Sequence, residues 1–410
     1  MSKKRKEETK VAYKFIRKIL IDAYSNTLKK VISVRGVKNI IVFESQSDFS
    51  DNSKALFLNM IKYNVNKHYK IVWLVDDAKQ IKTQKYENVY FFSIKSDGSI
   101  INKLVTLAKI EFLLSKTRFY FFTHRNFSIS PPTENQVFFN LTHGTPLKNS
   151  TGRHSSFKKS TYILTTSKTA GDLRVRTYEG GTEKLKILGF PRNDFLFTEK
   201  DSLQKIGVNK KAYNKVVFWL PTFRRHKNAK TNDSRKLEEE LDFPIVNNVM
   251  QLMKLNQYLE KNKIFLIIKV HPAQDLKYFI SGDFSNVKIL TNDFIFDSKI
   301  ELYELLGQSD ALLTDYSSVY LDYLLIDKPI GFTIDDLGEY QQELGFMVNN
   351  PLDIMPGMKI PDQESLCTFF DNVLLNNDEW REKREKVKKE FNYYTDNQAS
   401  ERIMKDLGFI

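Results

Sequence analysis

Polar residues suited to phosphate chemistry follow four apolar runs of this 410-residue sequence. His143 ends the run QVFFNLTH, Arg224 follows KVVFWLPTF, His271 follows IFLIIKV, and Thr-Asp-Tyr-Ser-Ser follows ALL. Histidine accepts a proton near neutral pH, the arginine fork binds phosphate oxygens with parallel N–H groups, and serine hydroxyls donate to the same oxygens. Together the four segments indicate a site for a phosphate-bearing substrate.

The segment TDYSSVYLDYL, which begins at Thr314 and Asp315, predicts a strand, a turn and a helix. Ser317 and Ser318 precede that helix, whose free N–H groups suit a phosphate. Plain helix capping would account for one serine but not for both. Asp322 lies one turn into the helix, where it would either meet a substrate hydroxyl in a cleft or form a surface ion pair.

The segment HGTPLK has the composition of a reactive turn. Gly144 allows close backbone approach, Thr145 and the proline after it fix a turn, and Lys148 supplies positive charge. His143 is either a structural residue at a strand end or a general base that accepts a proton from an incoming hydroxyl. His271 would donate to a phosphate oxygen from the other half of the chain.

The elements that carry these residues alternate between short apolar strands and helices, which predicts parallel sheets with covered faces. The predicted strands are NIIVFE, YKIVWLVDD, VYFFSI, RFYFFTH, QVFFNLTH, YILTTS and LKILGF, then KVVFWLPTF, IFLIIKVHP, VKILTND, ALLTDYSS and PIGFTI. These form two series, so we expect an α/β protein with two Rossmann-like doubly wound domains that face each other. Ligands of such sheets bind beyond the carboxyl ends of the strands.

We expect the C-terminal helices to pack back across the molecule. The sequence predicts a division of the chain into four parts. The parts are a basic amphipathic helix in residues 1–36, an N-terminal Rossmann-like domain in 37–205, a C-terminal Rossmann-like domain in 206–385 and a helical tail in 386–410.

The composition limits the class of protein. A hydrophobic share of 41% is typical of a globular chain, and no apolar run reaches the ~18 residues of a membrane span. The N-terminus lacks a signal-peptide pattern, and the only cysteine, Cys367, excludes an intramolecular disulfide framework. A P-loop and an HExxH motif are also missing, so we expect a cytoplasmic enzyme without a metal or another cofactor.

The charge indicates anionic partners. The chain carries +13, and residues 141–230 hold 19 Lys/Arg and 6 Asp/Glu, an excess of 19 − 6 = 13. Nucleic acid, a phosphate-bearing substrate, an acidic membrane and a merely solubilising surface all fit that excess. Residues 11–34 have helical apolar spacing with interspersed Lys and Arg, so this segment either packs on its own domain or contacts a membrane surface.

Five motifs in order, HGTPLK, GFPRND, LPTFR, KVHP and TDYSSVYLDYL, resemble the CDP-glycerol glycerophosphotransferase family, which builds teichoic acids and related capsular polymers. The resemblance runs from about residue 38 to 360. It implies a GT-B architecture, in which two Rossmann-like domains face each other across the active site. It also implies a peripheral place on the inner face of the membrane.

By the same resemblance, the domain of residues 37–205 binds the acceptor and the domain of residues 206–385 binds the CDP-polyol. His143 is then the base, and Arg224 and His271 hold the donor pyrophosphate. Ser317 and Ser318 belong to the phosphate-binding helix, and Asp322 points toward the polyol. The family often has an aromatic residue where this chain has Thr142.

The resulting hypothesis is transfer of glycerol phosphate from CDP-glycerol to a hydroxyl of a lipid-linked or growing polymer, with release of CMP. The alternatives are a CDP-ribitol ribitolphosphotransferase and a GT-B glycosyltransferase that uses a nucleotide-sugar donor. A non-enzymatic protein that binds nucleic acid or an anionic membrane ranks below these, because it leaves the strand-end motifs unexplained.

Overall fold

A computed structural model describes residues 36–81, 85–95, 100–149, 159–178, 180–222, 241, 243–270 and 284–410. Three sequence-based predictions fall outside these residues: the amphipathic helix of residues 11–34, Arg224 and His271.

The first half of the chain forms a seven-stranded parallel sheet in the order β3-β2-β1-β4-β5-β6-β7. Its strands are β1 (Lys38–Glu44), β2 (Lys70–Val75), β3 (Val89–Ser93), β4 (Thr117–Phe122), β5 (Val137–Asn140), β6 (Tyr162–Thr165) and β7 (Leu185–Ile187). The order reverses between β1 and β4, and this topological switch point is where doubly wound sheets bind ligands.

The second half repeats the arrangement in a six-stranded parallel sheet, with the order β10-β9-β8-β11-β12-β13. Its strands are β8 (Lys215–Leu220), β9 (Ile264–Lys269), β10 (Val287–Leu290), β11 (Ala311–Thr314), β12 (Ile330–Thr333) and β13 (Met358–Ile360). The last strand went unrecognised in the sequence because its three residues, MKI, are too few for a readable pattern.

Helices cover both sheets and follow most of the strands. They are α1 (Asp51–Lys62), α2 (Ile100–Lys116), α3 (Lys168–Tyr178), α4 (Ser202–Lys205), α5 (Val249–Lys261), α6 (Asn292–Asp297), α7 (Leu302–Gln308), α8 (Val319–Tyr323), α9 (Leu337–Glu343), α10 (Gln363–Leu375), α11 (Arg381–Phe391) and α12 (Ala399–Asp406). Short 3-10 helices lie at Val65–Lys67, Ala78–Gln80, Pro191–Phe197, Lys210–Ala212, Leu324–Ile326 and Pro351–Ile354.

Burial explains why the strands read as continuous apolar runs. All six residues of β9, IFLIIK, are buried, as expected for a parallel strand with helices on both faces of its sheet. The predicted fold class, two doubly wound α/β halves, is therefore confirmed.

The C-terminal helices return to the first sheet. Ile403 and Met404 of α12 lie in its core, and the Phe409 ring is 4.6 Å from that of Phe119. Both carboxylate oxygens of Asp194 accept N–H groups at the start of α12, from Ala399 and Ser400, at 2.9 Å each. The helical tail thus packs back as predicted, while the exact domain boundaries stay a prediction.

Candidate active site

His143 stands in a turn that follows β5. Asn140, the last residue of that strand, accepts the Thr142 N–H at 2.9 Å through its side chain, and Thr142 takes a positive φ of 53°. Asn52, at the start of α1, donates to the carbonyls of Leu141 and Thr142 at 3.1 and 2.9 Å. The chain therefore leaves the sheet in a fixed direction, and His143 is held at the carboxyl end of the strands.

The His143 ring is oriented by a backbone carbonyl. Its Nδ1 lies 3.3 Å from the Thr123 carbonyl oxygen. Because a carbonyl can only accept, we assign the proton to Nδ1, which leaves the Nε2 lone pair free. This is the tautomer that a general base needs.

The charge state of His143 follows from its surroundings. Protein atoms around the ring, and then the positive charge of Arg174, lower the pKa of His143 to about 4. The side chain nevertheless remains solvent-exposed, so it lies in a hollow that is open to water. The direction of the shift keeps the imidazole neutral at pH 7, as proton abstraction requires.

Two arginines hold the backbone of the His143 turn. Arg192 donates from Nη1 to the His143 carbonyl at 3.0 Å, and Arg174 of α3 donates from Nη2 to the Gly144 carbonyl. Both side chains are buried. Sequence reasoning gave neither residue a role, although Arg192 lies in the quoted motif GFPRND.

Arg192 also joins the two halves of the molecule. Its guanidinium pairs with Asp51 of α1 at 2.9 Å and with Asp322 of α8 at 2.7 Å. Asp322 also accepts the Tyr303 hydroxyl at 2.6 Å and the Asn193 amide at 3.3 Å. Asp322 is only 2% exposed, so the surface ion pair considered from the sequence is wrong, and its carboxylate is occupied by protein donors.

The start of α8 meets the His143 turn. A Cβ built on Gly144 would lie 2.7 Å from Ser318 Oγ and 3.1 Å from Arg192 Nη2, so only glycine fits there without a shift. Gly144 also has a φ of +131°, which disfavours other residues. Ser318 occupies the N-cap position, yet its side chain makes no capping hydrogen bond. The capping alternative for Ser318 therefore fails, and its hydroxyl stands at the junction of the two sheets.

Thr314 and Asp315 face inward. Both are fully buried. The Thr314 hydroxyl donates to the Leu220 carbonyl at 2.8 Å, and Asp315 accepts the Thr222 N–H at 2.7 Å as well as the Thr222 hydroxyl. These two residues therefore hold the end of β8 and Thr222, which follows it, in place.

Lys148, predicted on the acceptor side, reaches the second half of the chain. It forms an isolated antiparallel bridge with Phe346, and its Nζ lies 5.8 Å from the ring centre of Tyr340. The neighbouring Leu147 carbonyl accepts the Met347 N–H at 2.8 Å. The HGTPLK segment therefore crosses from the first sheet to the second, with Thr145 buried in between.

Two further residues near the carboxyl end of β4 were missed. The His124 ring, just beyond β4, lies 5.7 Å from the His143 ring. Glu44, at the end of β1, accepts the N–H groups of Thr123, His124 and Arg125 at 3.1, 3.2 and 3.0 Å. Burial raises the pKa of Glu44 to about 7. The run RFYFFTH ends in a histidine. The criterion that selected His143, a polar residue at the end of an apolar strand, would therefore also have selected His124.

The sequence contains Asp-Asp pairs at residues 76–77 and 335–336, and members of both pairs have structural partners. Asp77 accepts the Lys79 N–H at 3.0 Å and caps a 3-10 helix, while Asp336 accepts the Tyr316 hydroxyl at 2.9 Å. Across the part of the chain that the structure describes, no three His, Cys, Asp or Glu side chains are grouped as metal ligands.

Comparison with known proteins gives a consistent result. The sequence family described as CDP-Glycerol:Poly(glycerophosphate) glycerophosphotransferase matches residues 28–407. A teichoic acid glycerol-phosphate transferase of Staphylococcus aureus is 25% identical over 414 residues, which cover 94% of this chain and 97% of that protein. A teichoic acid poly(ribitol-phosphate) polymerase of Bacillus spizizenii is 28% identical over 240 residues, 55% of this chain and 34% of that one.

A solved structure of the wall teichoic acid polymerase TagF has a TM-score of 0.70 at 19% identity, and the match covers 100% of this chain and 98% of that chain. At that identity the likeness concerns the fold, and it supports the GT-B arrangement.

Proposed function

Because the chain belongs to the CDP-glycerol:poly(glycerophosphate) glycerophosphotransferase family, we propose that it transfers glycerol phosphate from CDP-glycerol to a hydroxyl of a lipid-linked or growing teichoic-acid-like or capsular polymer. CMP is the second product. The observation that carries this proposal is the contact between the His143 turn of the first sheet and Ser318 of the second. It places the turn that carries a neutral base next to a serine hydroxyl that makes no capping hydrogen bond.

In this proposal His143 acts as the general base. Its Nε2 takes the proton of the acceptor hydroxyl, whose oxygen forms a new bond to the β-phosphorus of CDP-glycerol. The bond from that phosphorus to the bridging oxygen breaks, and CMP leaves with the electron pair. Such phosphoryl transfer depends on positioning and on charge stabilisation.

Donor binding is assigned to the second half of the chain. Ser317 and Ser318 would donate to the phosphates at the start of α8, and Arg224 and His271 would hold the pyrophosphate. His271 directly follows Val270, which is buried just beyond β9. The inward contacts of Thr314, Asp315 and Asp322 support indirect roles for those three residues, which hold the strand ends and the helix in place.

The acceptor would lie against the first sheet, near Gly144 and Thr145. Lys148 would contribute positive charge at the edge where the HGTPLK segment crosses to the second half. His124 lies on the same side as His143, which makes it a candidate contact for the acceptor.

The test is release of CMP from CDP-glycerol in the presence of a lipid-linked glycerol-phosphate acceptor. We expect His143→Ala to lower the transfer rate by about 10²–10⁴-fold, the usual contribution of a general base. Its unfolding midpoint should stay close to that of the wild type, because the ring is exposed. Normal turnover by this variant would refute the role of His143.

CDP-ribitol is the second candidate donor, because a ribitol-phosphate polymerase is among the relatives. A panel of CDP-glycerol, CDP-ribitol and UDP- or CMP-sugars, read out as released CMP or UDP, separates the two donors and also tests the glycosyltransferase alternative. Binding to nucleic acid is not part of the proposal.

A place on the inner face of the cell membrane is supported by one surface, the apolar face of α2. Ile101, Leu104, Val105 and Phe112 lie on one side of this helix and are 70%, 53%, 45% and 45% exposed. Lys116 places its Nζ 3.5 Å from the Phe112 ring centre. Apolar residues flanked by lysines suit the boundary between the headgroups and acyl chains of anionic lipids. No helix in the described ranges is both long and apolar enough to cross a bilayer.

A further inference from the structure

The turn after His143 contains two backbone donors without acceptors. Neither the N–H of Gly144 nor that of Thr145 has a hydrogen-bond acceptor among the described residues, and both residues are buried. Buried N–H groups are almost always paired in folded proteins. The two N–H groups are therefore available to acceptor atoms of a ligand.

The direction of the two donors is set by the arginines. The chain has no cis peptide bond in its described part, so each N–H points opposite to the carbonyl of its own peptide plane. The His143 carbonyl faces Arg192, and the Gly144 carbonyl faces Arg174. The Gly144 N–H accordingly points away from the Arg192 guanidinium, and the Thr145 N–H points away from the Arg174 guanidinium. In each of these two peptide groups, the carbonyl oxygen, which is the negative end of the dipole, faces an arginine. The N–H, which is the positive end, points the other way.

Arg174 supplies a charge that no carboxylate of the described residues pairs with. It is 5% exposed, donates to the Gly144 carbonyl, hydrogen-bonds to the Tyr178 side chain and lies 5.7 Å from the centre of the Tyr178 ring. Arg192, by contrast, has Asp51 and Asp322 as partners. A buried cation without a carboxylate is unfavourable, and an anion bound across the turn would offset it.

We propose that the N–H groups of Gly144 and Thr145 form an anion cradle for the non-bridging oxygens of the phosphoryl group during its transfer, and that Arg174 positions this cradle through the Gly144 carbonyl. The inference rests on the proposed function. His143, in the same turn, takes the proton of the attacking hydroxyl, so the phosphorus passes close to these donors. Fixed donors of this kind stabilise charge that develops in a transition state.

The first test compares substitutions of two cations that donate to backbone carbonyls, the buried Arg174 and the partly buried Lys328. We expect Arg174→Met to lower kcat by about 10²–10³-fold, the size of a lost oxyanion-hole donor, with little change in the KM for CDP-glycerol. Arg174→Lys should recover part of kcat. The control is Lys328→Met, because Lys328 donates to the Gly307 and Ser309 carbonyls at 2.7 and 2.5 Å, near the opposite ends of the strands.

This control should lose stability but keep kcat. An unchanged kcat in Arg174→Met, or an equal kcat loss in both Met variants, would overturn the proposal.

The second test does not depend on turnover. His143–Gly144 is the only His-Gly pair in the sequence, so labelling with carbonyl-¹³C histidine and ¹⁵N glycine gives one selected amide signal. We expect CMP plus orthovanadate, a phosphoryl mimic, to move the Gly144 amide proton downfield, and CMP alone to leave it in place. A signal that does not move at saturating CMP and the highest vanadate concentration would refute the cradle. A shift in an enzyme that fails to use CDP-glycerol would instead refute the proposed function and leave the cradle standing.

Discussion

Arg192 Nη2 lies 2.7 Å from Asp322 Oδ2, and this buried ion pair joins the segment after β7 to the helix that begins at the second sheet. The same guanidinium pairs with Asp51 and supports the His143 carbonyl. A single side chain therefore ties the proposed base to the proposed donor side.

Removing Arg192 should destabilise the protein strongly. Arg192→Met leaves the buried Asp322 and the partly buried Asp51 without their cation, and the loss of one partner from a buried pair typically costs about 3–5 kcal/mol. Arg192→Met combined with Asp322→Leu should cost less than the sum of the single changes, because the double variant leaves fewer buried charges unpaired. Urea unfolding of the wild type, the two single variants and the double variant measures the coupling free energy. Strictly additive losses of unfolding free energy would contradict it.

Gly144→Ala should reduce activity through a clash at Ser318. The new Cβ would approach Ser318 Oγ to 2.7 Å, so the turn has to shift. A displacement on the order of 1 Å at a reacting group can lower the rate by about 10²-fold. Gly207→Ala is the matched control, because Gly207 also has a positive φ, +79°, but nothing lies within 4 Å of the added carbon. Equal kcat/KM losses in the two variants would show that backbone strain alone explains the effect.

Glu44 should make stability depend on pH. Its pKa is raised to about 7 in the folded chain, so the folded state holds this proton more tightly than the unfolded state, where the group has its ordinary value of 4.5. The stabilisation from the bound proton is complete below about 4.5 and is lost as the pH rises through about 7, with a total on the order of 3 kcal/mol.

Glu44→Gln should flatten this part of the stability curve, whereas the exposed Glu260→Gln should leave it unchanged. Urea midpoints between pH 4.5 and 8 provide the measurement. If the urea midpoint depends on pH equally in the wild type and in Glu44→Gln, then other titratable groups cause that dependence.

The exposed face of α2 should control binding to anionic vesicles. We expect Leu104→Glu with Phe112→Glu to weaken sedimentation with phosphatidylglycerol vesicles by about tenfold or more, because two apolar contacts are replaced by charges that anionic lipid repels. Met250→Glu with Met253→Glu is the control, since these exposed methionines lie on α5. Equal losses in both pairs, or none in the first, would remove α2 from the membrane contact.

The sequence by itself determined the fold and the position of the chemistry. The apolar runs of the strands are set by burial on both faces of a parallel sheet, which is a local property of each segment. For the same reason a polar residue just after such a run marks the carboxyl edge of the sheet, and His143, His124 and Ser318 lie at these edges.

Only the tertiary structure decided which of these polar side chains are free to act. Thr314, Asp315 and Asp322 belong to the same motif as Ser318, yet they turn inward and bind protein groups. Their partners lie in distant parts of the chain, so these contacts cannot be predicted from local sequence patterns. The support of the His143 turn by Arg174 and Arg192 likewise comes from residues 30 and 49 positions further along the chain, and the direction and charge balance of a buried group depend on such neighbours in space.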